Sequence, residues 1–384
     1  MSPRPSPVTP QTQATPSTGR FDSLDALRGV AALVVVLWHW QHFFFVGTVL
    51  PLSTPKFPLQ GVLAIFYKDG EIAVDLFFCI SGFIFYWLYA NAIATGSMSA
   101  GRFFVLRFSR LYPLHLLTLV VVAALQVDYQ AQGYGYFVYA ANTASNFVIN
   151  LLFVSGWVSR GFSFNAPVWS VSVEVFLYGL FFVMCRWLPI SFATVLAACL
   201  FGLLGLPRFP TLLGRGMVSF FLGGTAALVY ARLMQGRSPY QWSAVLGALV
   251  TTLWAGLVLA IALAAPGVVG LDFIRKFAVL ALFPLTVLSL ALWEHTRGIK
   301  LHRLTVLGDI SYSTYLWHFP LQLATVVVFD SLGLSRQLFT SPLTLVAFFL
   351  VLIGVGYVSV HWFERPAQAW LRGRFRSDRS SRAA

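Results

Sequence analysis

The stretch Arg20–Trp40, RFDSLDALRGVAALVVVLWHW, decides the fold class. It opens on helix-start signals. Asp22 and Ser23 can cap the first free N–H groups, and Asp25 falls in the first turn, where an acid is favoured. Gly29 to Trp38 then carries no charge and is bracketed by Arg28 and His39. Eleven positions on a helix advance roughly 20° past three whole turns and rise about 16 Å. Arg28 and His39 are therefore expected on one face, about half a bilayer apart. Such a pair on a membrane helix is costly, which points to function. The bland alternative is an arginine that snorkels and a histidine bonded to a backbone carbonyl.

Working outward, the composition agrees with a membrane reading. The 384 residues are 58% hydrophobic and 10% charged, against about 25% charged in soluble domains. The expected fold is an all-α integral membrane protein. Cys79, Cys185 and Cys199 lie in apolar runs without metal-site spacing, so neither a disulfide framework nor a metal is expected. The net charge of +13 is spread over loops and the C-terminal end, which fits membrane topology rather than nucleic-acid binding.

Residues 1–19 are rich in Pro, Ser, Thr and Gln and read as a disordered tail rather than a signal peptide. Ten spans are expected, at about 26–46, 71–91, 112–127, 168–186, 190–207, 212–234, 242–265, 275–293, 305–329 and 341–363. Between the third and fourth lies 128–167, whose apolar run Phe147–Val158 is too short for a crossing helix, which needs about 20 residues. It reads as a re-entrant or interfacial segment. No internal repeat is evident. Ten spans put both termini on one side. Most of the 26 Lys and Arg fall on that side, which makes it the cytoplasmic one.

Several polar residues stand inside the spans. Asp75 and Gly82 are seven apart and share a face, with Gly82 open to a close helix approach. Arg107 and Arg110, three apart on a short amphipathic turn, can bind phosphate with paired donors. They can equally mark the positive-inside face. Glu174 needs a partner within the membrane, and His39 is the expected one. Ser311, Tyr315 and His318 share a face near the midplane. His42, His115 and His361 read as interfacial.

These fragments together resemble the acyltransferase-3 family of membrane-bound acyltransferases. The resemblance rests on FDSLDALRGVAALVVVLWHW, AVDLFFCISGFIF, RFFVLRFSRLYP, VWSVSVEVFLYG, LGDISYSTYLWHFP and WFERP, six elements in the family's order over about 21–367. Val175 stands where a second acid often follows Glu174. The expected organisation is a cytoplasmic tail over 1–19, the transmembrane acyltransferase domain over 20–367, and a basic cytoplasmic tail over 368–384. The stand-alone form is expected, without an attached hydrolase-like domain.

The resemblance implies transfer of an acyl group, often acetyl, from cytoplasmic acetyl-CoA or another acyl-CoA to a hydroxyl of an envelope or exported carbohydrate or glycolipid. The setting implied is the cytoplasmic (inner) membrane of a bacterium. Arg28, Arg107 and Arg110 would receive the CoA. His39 would be the base, since an imidazole with an ordinary pKa of about 6.5 suits that role. Glu174 or Asp75 would orient it, and Ser81, Tyr312 or His318 would face the developing oxyanion. Two readings stand beside this one: a proton-coupled transporter or flippase for a glycolipid, and acyl transfer to a lipid or small molecule.

Overall fold

In lipid the backbone can bond only to itself, so each long apolar run closes into a helix. The computed structural model describes residues 20–51, 56–158, 160–205, 209–263, 271–298, 301 and 303–380. The tail expected to be disordered, 1–19, lies outside these. The helices are α1 (Asp22–Trp38), α2 (Gln60–Asp69), α3 (Ala73–Ala94), α4 (Ala100–Ala131), α5 (Ala144–Leu151), α6 (Trp169–Trp187) and α7 (Phe192–Leu204). The chain continues as α8 (Thr211–Gln235), α9 (Pro239–Leu263), α10 (Leu271–Phe277), α11 (Phe283–Arg297), α12 (Thr305–Ser331), α13 (Pro342–Val358) and α14 (Arg365–Ser380). A 3-10 turn, His39–Phe44, extends α1, and π turns at Ala278–Leu282 and Ser359–Glu364 join α10 to α11 and α13 to α14. Among the described residues there is no strand beyond an isolated bridge, Val46 to Val49.

Each of the ten expected spans carries helix, but only 8 segments among the described residues are long and apolar enough to cross a membrane. The helix α7 is short, with 13 residues. The 27-residue α12 is too polar, because its Ser311, Ser313, Thr314, His318 and Gln322 are buried against protein rather than turned to lipid. Between α4 and α6 the chain does not cross. The 8-residue α5 spans about 12 Å, and asparagines tie it down. Asn150 Nδ2 donates to the Asn146 carbonyl at 2.8 Å and to Ser163 Oγ at 2.9 Å, and Asn165 Nδ2 reaches the Leu316 carbonyl at 3.0 Å.

Two close crossings set the positions of the functional side chains. At α3 on α8, a Cβ on Gly82 would lie 1.8 Å from the Phe220 carbonyl oxygen and one on Gly223 1.9 Å from that of Cys79. At α1 on α12, a Cβ on Gly29 would lie 2.5 Å from Leu307 Cβ and one on Gly308 2.5 Å from the Asp25 carbonyl oxygen. Small residues thus let backbones touch, the usual device where lipid offers no hydrophobic drive for association. The second crossing lays the His39 end of α1 along the His318 stretch of α12.

Three local expectations are corrected. The start of α1 is not capped by its own Asp22 and Ser23. Their backbone N–H groups donate to Glu294 of α11, each at 2.8 Å, because a carboxylate from a neighbour meets the positive helix end. Arg107 and Arg110 do not sit on a separate turn, since α4 runs unbroken through Pro113. His42 and His115 are buried rather than interfacial.

Candidate active site

A small cleft of about 100 Å³ opens among α1, α3, α4, α6 and α12. Its walls carry Arg28, Arg107, Arg110, Ser81, Glu174, Tyr178 and Tyr312. The spacing in α4 puts Arg107 and Arg110 on one side, and α1 brings Arg28 across from them. Arg28 pairs with Asp25 at 3.4 Å. Arg107 lies over the Phe85 and Tyr89 rings at 4.9 and 4.7 Å and donates to the Tyr89 hydroxyl, while its Nε is buried without a hydrogen-bond partner. Among the described residues no carboxylate is within ion-pair distance of Arg107 or Arg110. Glu174 Oε1 accepts from Tyr178 OH at 2.6 Å and from Ser81 Oγ at 3.1 Å. Tyr312 OH donates to the Leu111 carbonyl at 2.6 Å.

Beyond the cleft lies a cluster of imidazoles. The His39 ring is 4.7 Å from that of His318 and 4.8 Å from that of His42. His39 is 4% exposed and His318 fully buried. His39 Nδ1 lies 2.9 Å from the Val35 carbonyl oxygen, and His318 Nδ1 is hydrogen-bonded to the Tyr315 carbonyl. A carbonyl oxygen only accepts, so each Nδ1 holds a proton, which in the neutral ring leaves the lone pair on Nε2. His318 Nε2 has no partner. His42 Nδ1 bonds Gln322 Oε1 at 3.1 Å, and Gln322 Nε2 donates to the His39 carbonyl at 3.0 Å. Tyr315 joins the two regions. It lines the cleft, its ring is 5.7 Å from His318, and its hydroxyl is 2.7 Å from Ser170 Oγ.

Asp75 belongs to a different network. Its carboxylate accepts from Arg215 Nε at 3.1 Å and Nη2 at 2.7 Å, and from Ser219 Oγ at 3.0 Å. Arg215 in turn lies over Trp169, 5.6 Å from the ring centroid.

A family model described as an acyltransferase domain matches residues 21–361. The chain belongs to the acyltransferase-3 family. It is 31% identical over 171 residues to acyltransferase MdmB of Streptomyces mycarofaciens, covering 42% of this chain and 38% of that one. It is 27% identical over 335 residues to the protein named "Putative membrane-bound transacylase BcsY" of Komagataeibacter xylinus, covering 79% of this chain and 73% of that one. Protein 2 in the picA locus of Rhizobium radiobacter is 38% identical over 105 residues, 27% of this chain and 45% of that one. The chain therefore spans under half the length of two of these relatives. No solved structure matches it. Family membership and the apolar helices make this a multi-pass membrane protein of the acyltransferase-3 family.

For an acyltransferase-3 protein, the structure divides the expected site into three places. Arg28, Arg107, Arg110, Ser81, Glu174 and Tyr312 share the cleft. His39 and His318 touch each other behind Tyr315 and do not line it. Asp75 bonds to α8. A carboxylate bond to His39 from Glu174 or Asp75 is not formed; the Val35 carbonyl takes that place, as the bland sequence reading had it. Sequence reasoning missed Arg215, which stands inside α8, and Tyr178, whose spacing of four from Glu174 was the available signal. It also missed Gln322 and His42, whose pairing depends on the α1 to α12 crossing.

Proposed function

We propose that this acyltransferase moves an acyl group, acetyl first among them, from acyl-CoA to a hydroxyl of an envelope or exported carbohydrate. It would do so in the inner membrane of a bacterium, with both termini in the cytoplasm. The supporting observation is the polarity of the site: guanidiniums without a carboxylate partner at the α4 end of the cleft, and behind its other wall imidazoles whose Nδ1 atoms are held by backbone carbonyls. Guanidinium groups suit phosphate, and an imidazole suits a hydroxyl proton.

In this reading the CoA phosphates rest on Arg28, Arg107 and Arg110, and the acyl-pantetheine arm enters the cleft. His39 Nε2 takes the proton of the acceptor hydroxyl, whose oxygen attacks the thioester carbonyl. The C–S bond breaks, and the CoA thiolate leaves and is protonated. The Val35 carbonyl keeps the tautomer, and Gln322 fixes the backbone at His39. Ser81 and Tyr312 serve the oxyanion by exchanging their present acceptors, Glu174 and the Leu111 carbonyl, for the developing charge. His318, whose buried Nε2 has no partner, accepts a proton rather than donating to an oxyanion. We assign Asp75 to holding α3 on α8.

The test is to incubate protein purified in nanodiscs with acetyl-CoA and carbohydrate fractions, and to follow CoA release and label transfer. Parallel mass analysis of envelope glycans from a deletion strain should show a missing acyl increment. No acyl-CoA consumption with any fraction would overturn the donor assignment. An increment lost from lipids in place of glycans would move the acceptor to the lipid class.

A further inference from the structure

Ser109 lies between Arg107 and Arg110, and the end of the chain returns to it. The helix α14 packs on α4. Arg372 Nε donates to Ser109 Oγ at 3.0 Å, and Arg372 Nη2 to Gln368 Oε1, one turn back, at 3.2 Å. Arg28, Arg107 and Arg110 line the cleft, and Arg372 is held on the same stretch of α4, at Ser109, just outside it.

The nearby acids are already engaged. Glu174 holds Ser81 and Tyr178, Glu364 accepts from Ser313 and from Ser359 at 2.9 Å, and Asp25 pairs with Arg20 at 2.6 Å as well as with Arg28. Among the described residues none lies within ion-pair distance of Arg107, Arg110 or Arg372. Arg107 Nε is buried with nothing to bond. Like charges so placed repel one another, and a multiply charged anion relieves that repulsion.

We propose that α14 forms a third wall of the donor site, with Arg372 binding a phosphate of the CoA nucleotide beside Arg107 and Arg110. This rests on the acyl-CoA reading above. The C-terminal helix then becomes part of donor recognition: the diphosphate and 3′-phosphate supply enough negative charge to satisfy guanidiniums that one phosphate would leave unpaired.

The experiment is calorimetric titration of the full-length protein in zwitterionic nanodiscs with coenzyme A, 3′-dephospho-CoA and pantetheine. Arg372→Gln should raise the Kd for coenzyme A about tenfold, the worth of one hydrogen bond between charged groups. It should leave pantetheine binding unchanged. Arg372→Lys should keep most of the affinity, since a point charge still serves a phosphate. If Arg372→Gln binds coenzyme A like wild type while Arg107→Gln and Arg110→Gln do not, α14 is a tether and the proposal fails. It fails equally if the variant changes only the capture of phosphatidylglycerol added to the discs, which would assign Arg372 to a lipid phosphate. If the wild type binds coenzyme A no better than pantetheine, the donor reading falls and takes this inference with it.

Discussion

His39 ends α1 with Nδ1 on the Val35 carbonyl, and that single bond determines which nitrogen is basic. His39→Ala is expected to lower the transfer rate by about 10²–10⁴, the usual worth of a positioned base, with an unchanged gel-filtration profile. Retained activity would remove His39 from the chemistry. Glu174 is a different case, because its role is read through its donors. Tyr178→Phe keeps the ring but strips the carboxylate of its 2.6 Å bond. It should cost about 1–3 kcal/mol in thermal unfolding of the detergent-solubilised protein. An unshifted melt would mean that another donor takes over. The sequence could place Arg28 and His39 on one face because helix spacing alone determines that. It could not name His39's neighbour. That choice was made by the angle at which α12 crosses α1, which no spacing within either helix encodes.

At the scale of helices, the crossings are the fragile points. The overlap at Gly308 is with backbone, the Asp25 carbonyl, which cannot rotate away. Gly308→Val should therefore separate α1 from α12, destabilise the protein by about 1–3 kcal/mol or more, and reduce transfer as His318 leaves His39. Gly354→Ala meets nothing within 4 Å and serves as the control, with its melting temperature expected to hold or rise. The ion pair between α3 and α8 gives a second test at this scale. Arg215→Met alone leaves Asp75, 2% exposed, without its counter-charge and should cost about 3–5 kcal/mol. The double variant Asp75→Leu with Arg215→Met should recover most of that loss. If it recovers stability and transfer together, Asp75 is structural; if stability returns without transfer, Asp75 rejoins the catalytic residues. Gly82 was legible beforehand as a packing position because it shares a face with Asp75. Gly308 was not, since a glycine one turn into a polar-looking span reads equally well as a helix start. The polarity of α12 misleads in the same way: its serines and histidine lower its hydropathy because they face protein, and composition cannot tell a protein-facing side chain from a solvent-facing one.

For the whole molecule, the two ends of the bundle can be told apart by side-chain contacts. Tyr230, near the end of α8, packs on Phe21 at 5.7 Å, so the exposed Gln235 lies at the end where α1 begins, with the arginine cluster. Phe339 stacks on Phe43 at 4.0 Å, so the exposed Gln337 lies at the opposite end, near the imidazoles. Cys79, Cys185 and Cys199 are all buried, so a membrane-impermeant maleimide should find little in the parent protein. Gln337→Cys should label in intact cells, and Gln235→Cys only after permeabilisation. The reverse pattern would turn the guanidinium mouth away from the cytoplasm. Acyl-CoA is a cytoplasmic metabolite too charged to cross a bilayer unaided, so that outcome would sink the donor assignment whatever the affinities measured in nanodiscs. The proposed orientation therefore carries as much of the proposed mechanism as any residue in the cleft, since it requires the guanidinium end to face the donor's compartment and the imidazole end the acceptor's.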